Sequence, residues 1–150
     1  MNINEYIVKR VDNQIDWYDE KSIEAQKWYK RLQKIEIVLA AIIPLLSGYA
    51  TCKWIAFIIG LFGAAIAIIE SISKLNKYHE NWIQYRTTCE MLRYQKHLFL
   101  TGSAPYNTED ETIENIFVRN IENIISSENN QWKNINSIRE EANGDKSLKN

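Results

Sequence analysis

Between Ile37 and Ile69 the chain carries a single charged residue, Lys53. On both sides of that window Lys, Arg, Asp and Glu are frequent. A middle section this apolar has two physical solutions: the buried core of a soluble helical bundle, or passage through a membrane. Two uncharged runs stand back to back, "IVLAAIIPLLSGYATC" over Ile37–Cys52 and "WIAFIIGLFGAAIAII" over Trp54–Ile69. Each makes ~24 Å of helix. Ile35 extends the first run, and Ser71 and Ile72 extend the second, toward the ~30 Å of a hydrocarbon core. Neither run has the polar stripe that a core helix of a small soluble domain turns to water. Trp28, Tyr29, Tyr49, Trp54 and Tyr78 sit near the run ends, where amphipathic rings favour the interface. The pattern predicts a membrane hairpin with spans over 35–52 and 54–72.

With 150 residues and a formal net charge of -1, the composition fits one domain and hides this partition. Two polar flanks dilute the apolar middle, so a negative mean hydropathy does not oppose a membrane assignment. The first 34 residues are charged and contain no signal-type apolar stretch. Lys21, Lys27, Lys30, Arg31 and Lys34 precede the hairpin, and Lys74, Lys77 and Arg86 follow it. Only Lys53 lies in the turn "SGYATCK". That bias predicts cytoplasmic termini. Cys52 and Cys89 then fall on opposite sides of the membrane and cannot pair within one chain.

Long helices are expected on either side. Val8, Val11, Ile15, Tyr18, Ser22, Ala25, Tyr29, Leu32 and Glu36 follow steps of three and four, a heptad seam on a helix over 4–34. Pro44 is expected to kink the first span. Leu75, Tyr78, Trp82, Tyr85, Cys89, Leu92 and Phe99 repeat the rhythm over 73–101, so the second span is expected to continue into it. "TGSAPYNTED" breaks the pattern with Gly102 and Pro105. A last helix over 109–142 presents Ile113, Phe117, Ile121, Ile124, Trp132 and Ile135, and the tail from Asn143 reads as frayed. Lys74, Lys77, Arg86, Arg93 and Lys96 make the segment 74–107 basic, while 108–150 is acidic. The two segments either pack together or leave basic surface free for an anion.

The expected fold class is therefore an all-α membrane protein. A two-helix transmembrane hairpin is continuous with long cytoplasmic helices, and a C-terminal cytoplasmic helix completes a homo-oligomeric bundle. Enzyme chemistry is not expected. The chain has no Ser-His-Asp arrangement, H-E-x-x-H or phosphate-binding P-loop pattern. The two cysteines are isolated, and His79 and His97 lie about five turns apart on one helix, so no metal or other cofactor is expected.

Two helices cannot enclose a channel, so conduction requires several subunits. Ala56, Gly60, Ala64, Ala67 and Ser71, with Gly63 beside them, form a stripe of small residues on the second span. Small residues let helices approach closely. The stripe either packs the hairpin against itself or lies between subunits or along a lumen. Glu70 and Glu36 end the two spans on the same side. They either ring the mouth of an oligomer and favour cations, or pair at the interface with Lys34 or Lys74. Ser47 and Thr51 are the clearly polar residues inside, so a lumen would be mostly apolar and suited to gating by dewetting. Pore and gate candidates are thus Glu70, Ser71, Gly60, Ala64, Ala67, Pro44, Ser47 and Glu36. Arg86, Glu90 and Arg93 lie along one helix face, and Arg119 and Glu122 form a similar pair, which reads first as ion pairing.

The chain also resembles a known family. "WYDEKSIEAQKWY" precedes the hairpin, and "WIQYRTTCEML", "GSAPY" and "FVRNIENIISSENNQW" follow it. In order and spacing these segments are similar to the SLATT superfamily, the SMODS- and SLOG-associating two-transmembrane effector domains of bacterial conflict systems. The resemblance covers about residues 10–135 and rests on Trp17, Tyr18, Gln26, Tyr29, Pro44, Trp82, Tyr85, Arg86, Glu90, Leu92, Tyr106, Phe117, Arg119, Glu122, Glu128 and Trp132. Gln95 departs from it, since a second acid is expected after Glu90.

The resemblance implies a pore-forming, antiviral effector in the bacterial inner membrane. A nucleotide-type signal would gate it: a second messenger or a short oligonucleotide made by a partner nucleotidyltransferase. Opening would depolarise the membrane of an infected cell. On that reading Arg86, Arg93 or Arg119 would contact the signal's phosphates, since arginine forks suit that geometry. The bilayer and further copies of the chain, with a tetramer as the expected count, would be the other partners. The alternative is a non-conducting anchor or scaffold that recruits a partner through its cytoplasmic helices.

Overall fold

The computed structural model describes residues 2–48, 53–107 and 113–127, which are helical apart from short connections. Helix α1 (Ile3–Tyr6) opens on Asn2, whose side chain accepts from the Asn4 amide at 3.3 Å. A π-helical turn over Ile7–Asp12 leads into α2 (Asn13–Ser47). α3 (Lys53–Asn76) and α4 (Tyr78–Leu100) follow, and residues 113–127 form α5. No strand occurs among the described residues.

α3 and α4 are separated by one residue. Lys77 adopts a left-handed conformation with φ of 49°, a common way to end a helix. The Asn76 side chain donates to the Ile72 carbonyl, and Asn81 Nδ2 donates to the Asn76 carbonyl, each at 3.1 Å. Carbonyls at the break are thereby satisfied. A continuous helix was expected here, and asparagine at the junction supplies the physical reason for the interruption.

Packing divides the chain into two compact units, Met1–Tyr18 with Thr87–Asn150, and Asp19–Arg86. In the first unit Ile7, Val11, Ile15 and Tyr18 are buried, as are Cys89, Leu92, Tyr106, Phe117, Ile121 and Ile125. Burying each large apolar side chain contributes about 1.5–3 kcal/mol before entropy is counted. The expected seam holds at Val11, Ile15 and Tyr18 but not at Val8, which is 62% exposed. A π turn advances fewer degrees per residue than an α turn, so Ile7, four residues before Val11, takes the inward place. On α5 the buried residue is Ile125 rather than Ile124. Phe99 stacks on Phe117 at 4.3 Å, and Tyr106 meets both rings edge-on.

In the second unit Ser22 and Ala25 continue the seam, and the Ser22 hydroxyl donates to the Asp19 carbonyl. Rings replace aliphatic side chains beyond it. Trp28 stacks on Tyr78, and Tyr29 lies 4.8 Å from the His79 ring and 6.3 Å from Trp82. Lys30 and Arg31 sit over Trp82 and Trp28 respectively.

α3 buries none of its residues. Trp54, Phe57, Leu61 and Ile68 are each more than half exposed. Among the described residues, α3 supplies the one stretch long and apolar enough to cross a membrane. The first expected span, 35–52, is described only to Gly48, and 49–52 lie outside the described residues. Its described apolar part, 37–47, makes ~16 Å of helix, too short to cross by itself. The tail from Asn143, Trp132 and Ile135 also lie outside the described residues.

Candidate functional site at the end of the apolar segment

Glu36 and Glu70 mark the ends of the two apolar runs, and in the second unit they line one cavity of about 320 Å³. Gln33 and Tyr29 stand one helical turn and two turns before Glu36 on α2. Ser73 and Lys74 follow Glu70 on α3. His79 and Glu80 come from the first turn of α4, just past the break at Lys77. The break at Lys77 thus allows residues near in sequence to reach the cavity from two helices.

Lys74 Nζ contacts Glu70 Oε1 at 2.7 Å, a pair four residues apart on an exposed helix face. Glu36 and Glu80 have no ion pair among the described residues. The lining is therefore short of positive charge, with Tyr29 and the imidazole of His79 as its ring wall. Of the lining residues, sequence reasoning singled out Glu36 and Glu70 for the site. It missed Gln33, Ser73 and Glu80, and it considered His79 only as a metal ligand, together with His97. Proximity of His79 and Glu80 to the span end was the available signal.

The small-residue stripe is open. Ala56, Gly60, Gly63, Ala64, Ala67 and Ser71 are all exposed. A Cβ placed on Gly60 or Gly63 would meet nothing within 4 Å. Within the described residues, then, the stripe does not pack the chain against itself. Ser71 Oγ donates to the Ala67 carbonyl and Ser47 Oγ to the Pro44 carbonyl, each at 2.7 Å. Both hydroxyls are satisfied within their own helices, and α2 continues through Pro44.

The three arginine candidates are divided between the two units. Arg86 belongs to the second unit and contacts Asp19 at 3.1 Å. Arg93 belongs to the first and contacts Glu90 at 3.2 Å. Arg119 is exposed on α5. Glu122, its expected neighbour, bonds instead to Arg10 and to the Tyr6 hydroxyl. Hydrogen bonding to Arg10 holds the Glu122 carboxyl below the usual range, and the same bond raises Arg10. Burial, then the adjacent Glu122, raises the Tyr6 phenol. Gln95 accepts from the Tyr106 hydroxyl, which accepts from Asn120 at 2.9 Å. An acid at Gln95 is not needed for that network.

A family model matches residues 13–114, more than half of the chain. The chain belongs to the DUF4231 family. That family is described as a protein of unknown function. The matched segment contains α2, α3, α4 and every residue lining the cavity, and it omits Tyr6, Arg10 and Glu122. No curated protein and no solved structure matches the chain.

Proposed function

We propose that this protein is a membrane-inserted, homo-oligomeric ion-conducting effector of bacterial antiviral defence, gated by a nucleotide-type signal. The observation that carries the membrane part is α3, the most apolar helix, with no buried residue. Leaving that surface in water forgoes ~25 cal/mol for each Å² of apolar area, so lipid or neighbouring copies must cover it. In this reading the run 37–52 is the companion span, and the basic residues flanking both runs support cytoplasmic termini at the inner membrane.

The open stripe supports oligomerisation. Gly60, Gly63, Ala64 and Ala67 offer a close-approach face that the described chain leaves unused. Around several copies, Glu36 and Glu70 near the span ends would favour cations. The nucleotide signal and the defensive role come from the resemblance to SLATT effectors, with Arg86, Arg93 or Arg119 as the phosphate contact in an assembly of several chains.

Ion flux into liposomes carrying the purified full chain tests this reading, with Glu70→Ala and protein-free vesicles alongside. Flux that Glu70→Ala alters supports a channel with that carboxylate on the conduction path. Flux that Glu70→Ala leaves unchanged supports the channel and moves the filter elsewhere. Absence of flux from inserted oligomer, both alone and with nucleotide extract of infected cells, favours the scaffold. The Glu70–Lys74 pair suits that second reading, because it describes an anchored interfacial carboxylate.

A further inference from the structure

Four cations stand together on α2 in the turns just before its apolar run, and none has an ion pair among the described residues. We propose that Lys27, Lys30, Arg31 and Lys34 hold the phosphate of an anionic glycerophospholipid, whose acyl chains lie along the same face of α2 at Val38, Ala41 and Leu45. This rests on the membrane part of the proposed function and not on conduction.

Lys27, Lys30, Arg31 and Lys34 are all exposed and fall at i, i+3, i+4 and i+7, within an arc of about 100° around the helix. No other residue between Lys27 and Lys34 enters that arc, so it is wholly cationic. α2 is unbroken over Asn13–Ser47, so the same face continues in steps of four, three and four from Lys34 to Val38, Ala41 and Leu45. All three are exposed, Val38 at 57% and Leu45 at 72%. One helix face thus passes within a single turn from positive charge to bare apolar surface. A bilayer presents phosphate and then hydrocarbon in that order.

The cations are also i,i+3 and i,i+4 neighbours of one another, an arrangement that opposes the helix unless an anion lies across it. Elsewhere Lys9, Lys21 and Lys74 each meet an acid three or four residues away, at 2.6, 2.9 and 2.7 Å. Glu24, the nearest acid before Lys27, is the one taken by Lys21. Glu20 shares the cationic face but lies two turns further from the apolar run, and Glu36 falls on the opposite side of the helix. Lys30 rests over Trp82 at 5.8 Å and Arg31 over Trp28 at 5.9 Å. Those rings suit the headgroup level, and stacking on them leaves N–H donors for phosphate oxygens. Arg31 matches a phosphodiester with two prongs, and the lysines add point charges around it.

This chemistry separates lipids by net charge. Phosphatidylglycerol brings a phosphodiester and no cation, whereas the ammonium of phosphatidylcholine meets four like charges.

Binding of single lipids to the detergent-purified full chain, read by native mass spectrometry, tests the proposal where membrane orientation plays no part. Expected is roughly twentyfold tighter binding of phosphatidylglycerol than of phosphatidylcholine, from two engaged cations at about fivefold each. The preference should shrink between about 0.1 M and about 1 M salt, as the Debye length falls from ~10 to ~3 Å. Arg31→Gln with Lys34→Gln should erase most of it. Lys9→Gln with Lys21→Gln removes the same net charge elsewhere and should leave it unchanged. Equal binding of the two lipids by the wild type, a result that needs no variant, overturns the proposal, as does an equal loss in both double variants. Competition by soluble glycerophosphoglycerol at similar concentration points to a free headgroup and overturns the lipid. A short oligonucleotide that displaces phosphatidylglycerol from this face overturns it too. Extraction of the chain from membranes by alkaline carbonate overturns the membrane reading itself. Retained insertion with no lipid preference overturns only this inference.

Discussion

Arg10 and Glu122 lie 112 residues apart, yet Arg10 donates from Nε and Nη2 to the two carboxylate oxygens of Glu122, each at 3.1 Å. The Tyr6 hydroxyl donates to the same carboxylate at 2.8 Å. A planar guanidinium matches a carboxylate in this two-pronged way, which a lysine could not reproduce. The contact ties the beginning of the chain to α5 and helps close the core around Phe117. Both partners are 42% exposed, so solvent screening trims its strength.

Replacing Glu122 by Gln should lower the stability of the full chain by about 1 kcal/mol, a partly exposed charged hydrogen bond's share. Denaturant unfolding monitored by circular dichroism measures it. Arg10→Lys should lose a similar amount, because the ammonium cannot span both oxygens. A neutral outcome in both variants would contradict the clamp.

Acid should weaken the same contact. Glu122 is held below the ordinary glutamate value of ~4.3, so its contribution is full above that value and is lost as pH falls through the lowered one. Tyr6 runs the other way: its phenol is raised, so its contribution is present below ~10 and fades at higher pH. Thermal midpoints between pH 3 and pH 7 should drop more steeply for the wild type than for Glu122→Gln. Parallel profiles would remove Glu122 as the acid-sensitive group.

Phe117 is fully buried and stacks on Phe99. Phe117→Ala should cost about 3–5 kcal/mol by loss of transfer energy and opening of a cavity. Reduced helicity and loss of cooperative unfolding are the expected readouts. Ile124→Ala, one residue from the buried Ile125, should cost clearly less.

A charge in the middle of α3 tests its environment directly. Leu61 is 56% exposed. In lipid, Leu61→Arg should raise the cost of insertion by about 3 kcal/mol and shift protein from the membrane to the alkaline-soluble fraction. In water the same change should be tolerated or improve solubility.

Gly60 separates packing within a chain from packing between chains. Since a Cβ there meets nothing within 4 Å, Gly60→Leu should leave helicity and insertion intact. The proposed oligomer should nonetheless shift to smaller species by cross-linking or light scattering in detergent, because bulk keeps helix backbones apart. An unchanged assembly would place the stripe facing lipid.

The residue pattern alone determined that the described residues are helical, that 54–72 forms an apolar helix of membrane length, and that Val11, Ile15, Tyr18, Ser22 and Ala25 are inward positions. Helical period and side-chain hydrophobicity are local properties, so they can be read along the chain. Glu36 and Glu70 were likewise legible, since each stands at the edge of an uncharged run. Tertiary structure alone decided the exchange of Val8 for Ile7, because a π turn changes register without an obvious sequence mark. It also decided that Glu122 answers Arg10 rather than Arg119, and that Tyr106 closes on Gln95 and Asn120. Those pairings join positions 11 to 112 residues apart, and charge or polarity does not say which partner packing will bring within hydrogen-bond reach. His79 and Glu80 joined the cavity for the same reason: one left-handed residue at Lys77 redirected the chain that carries them.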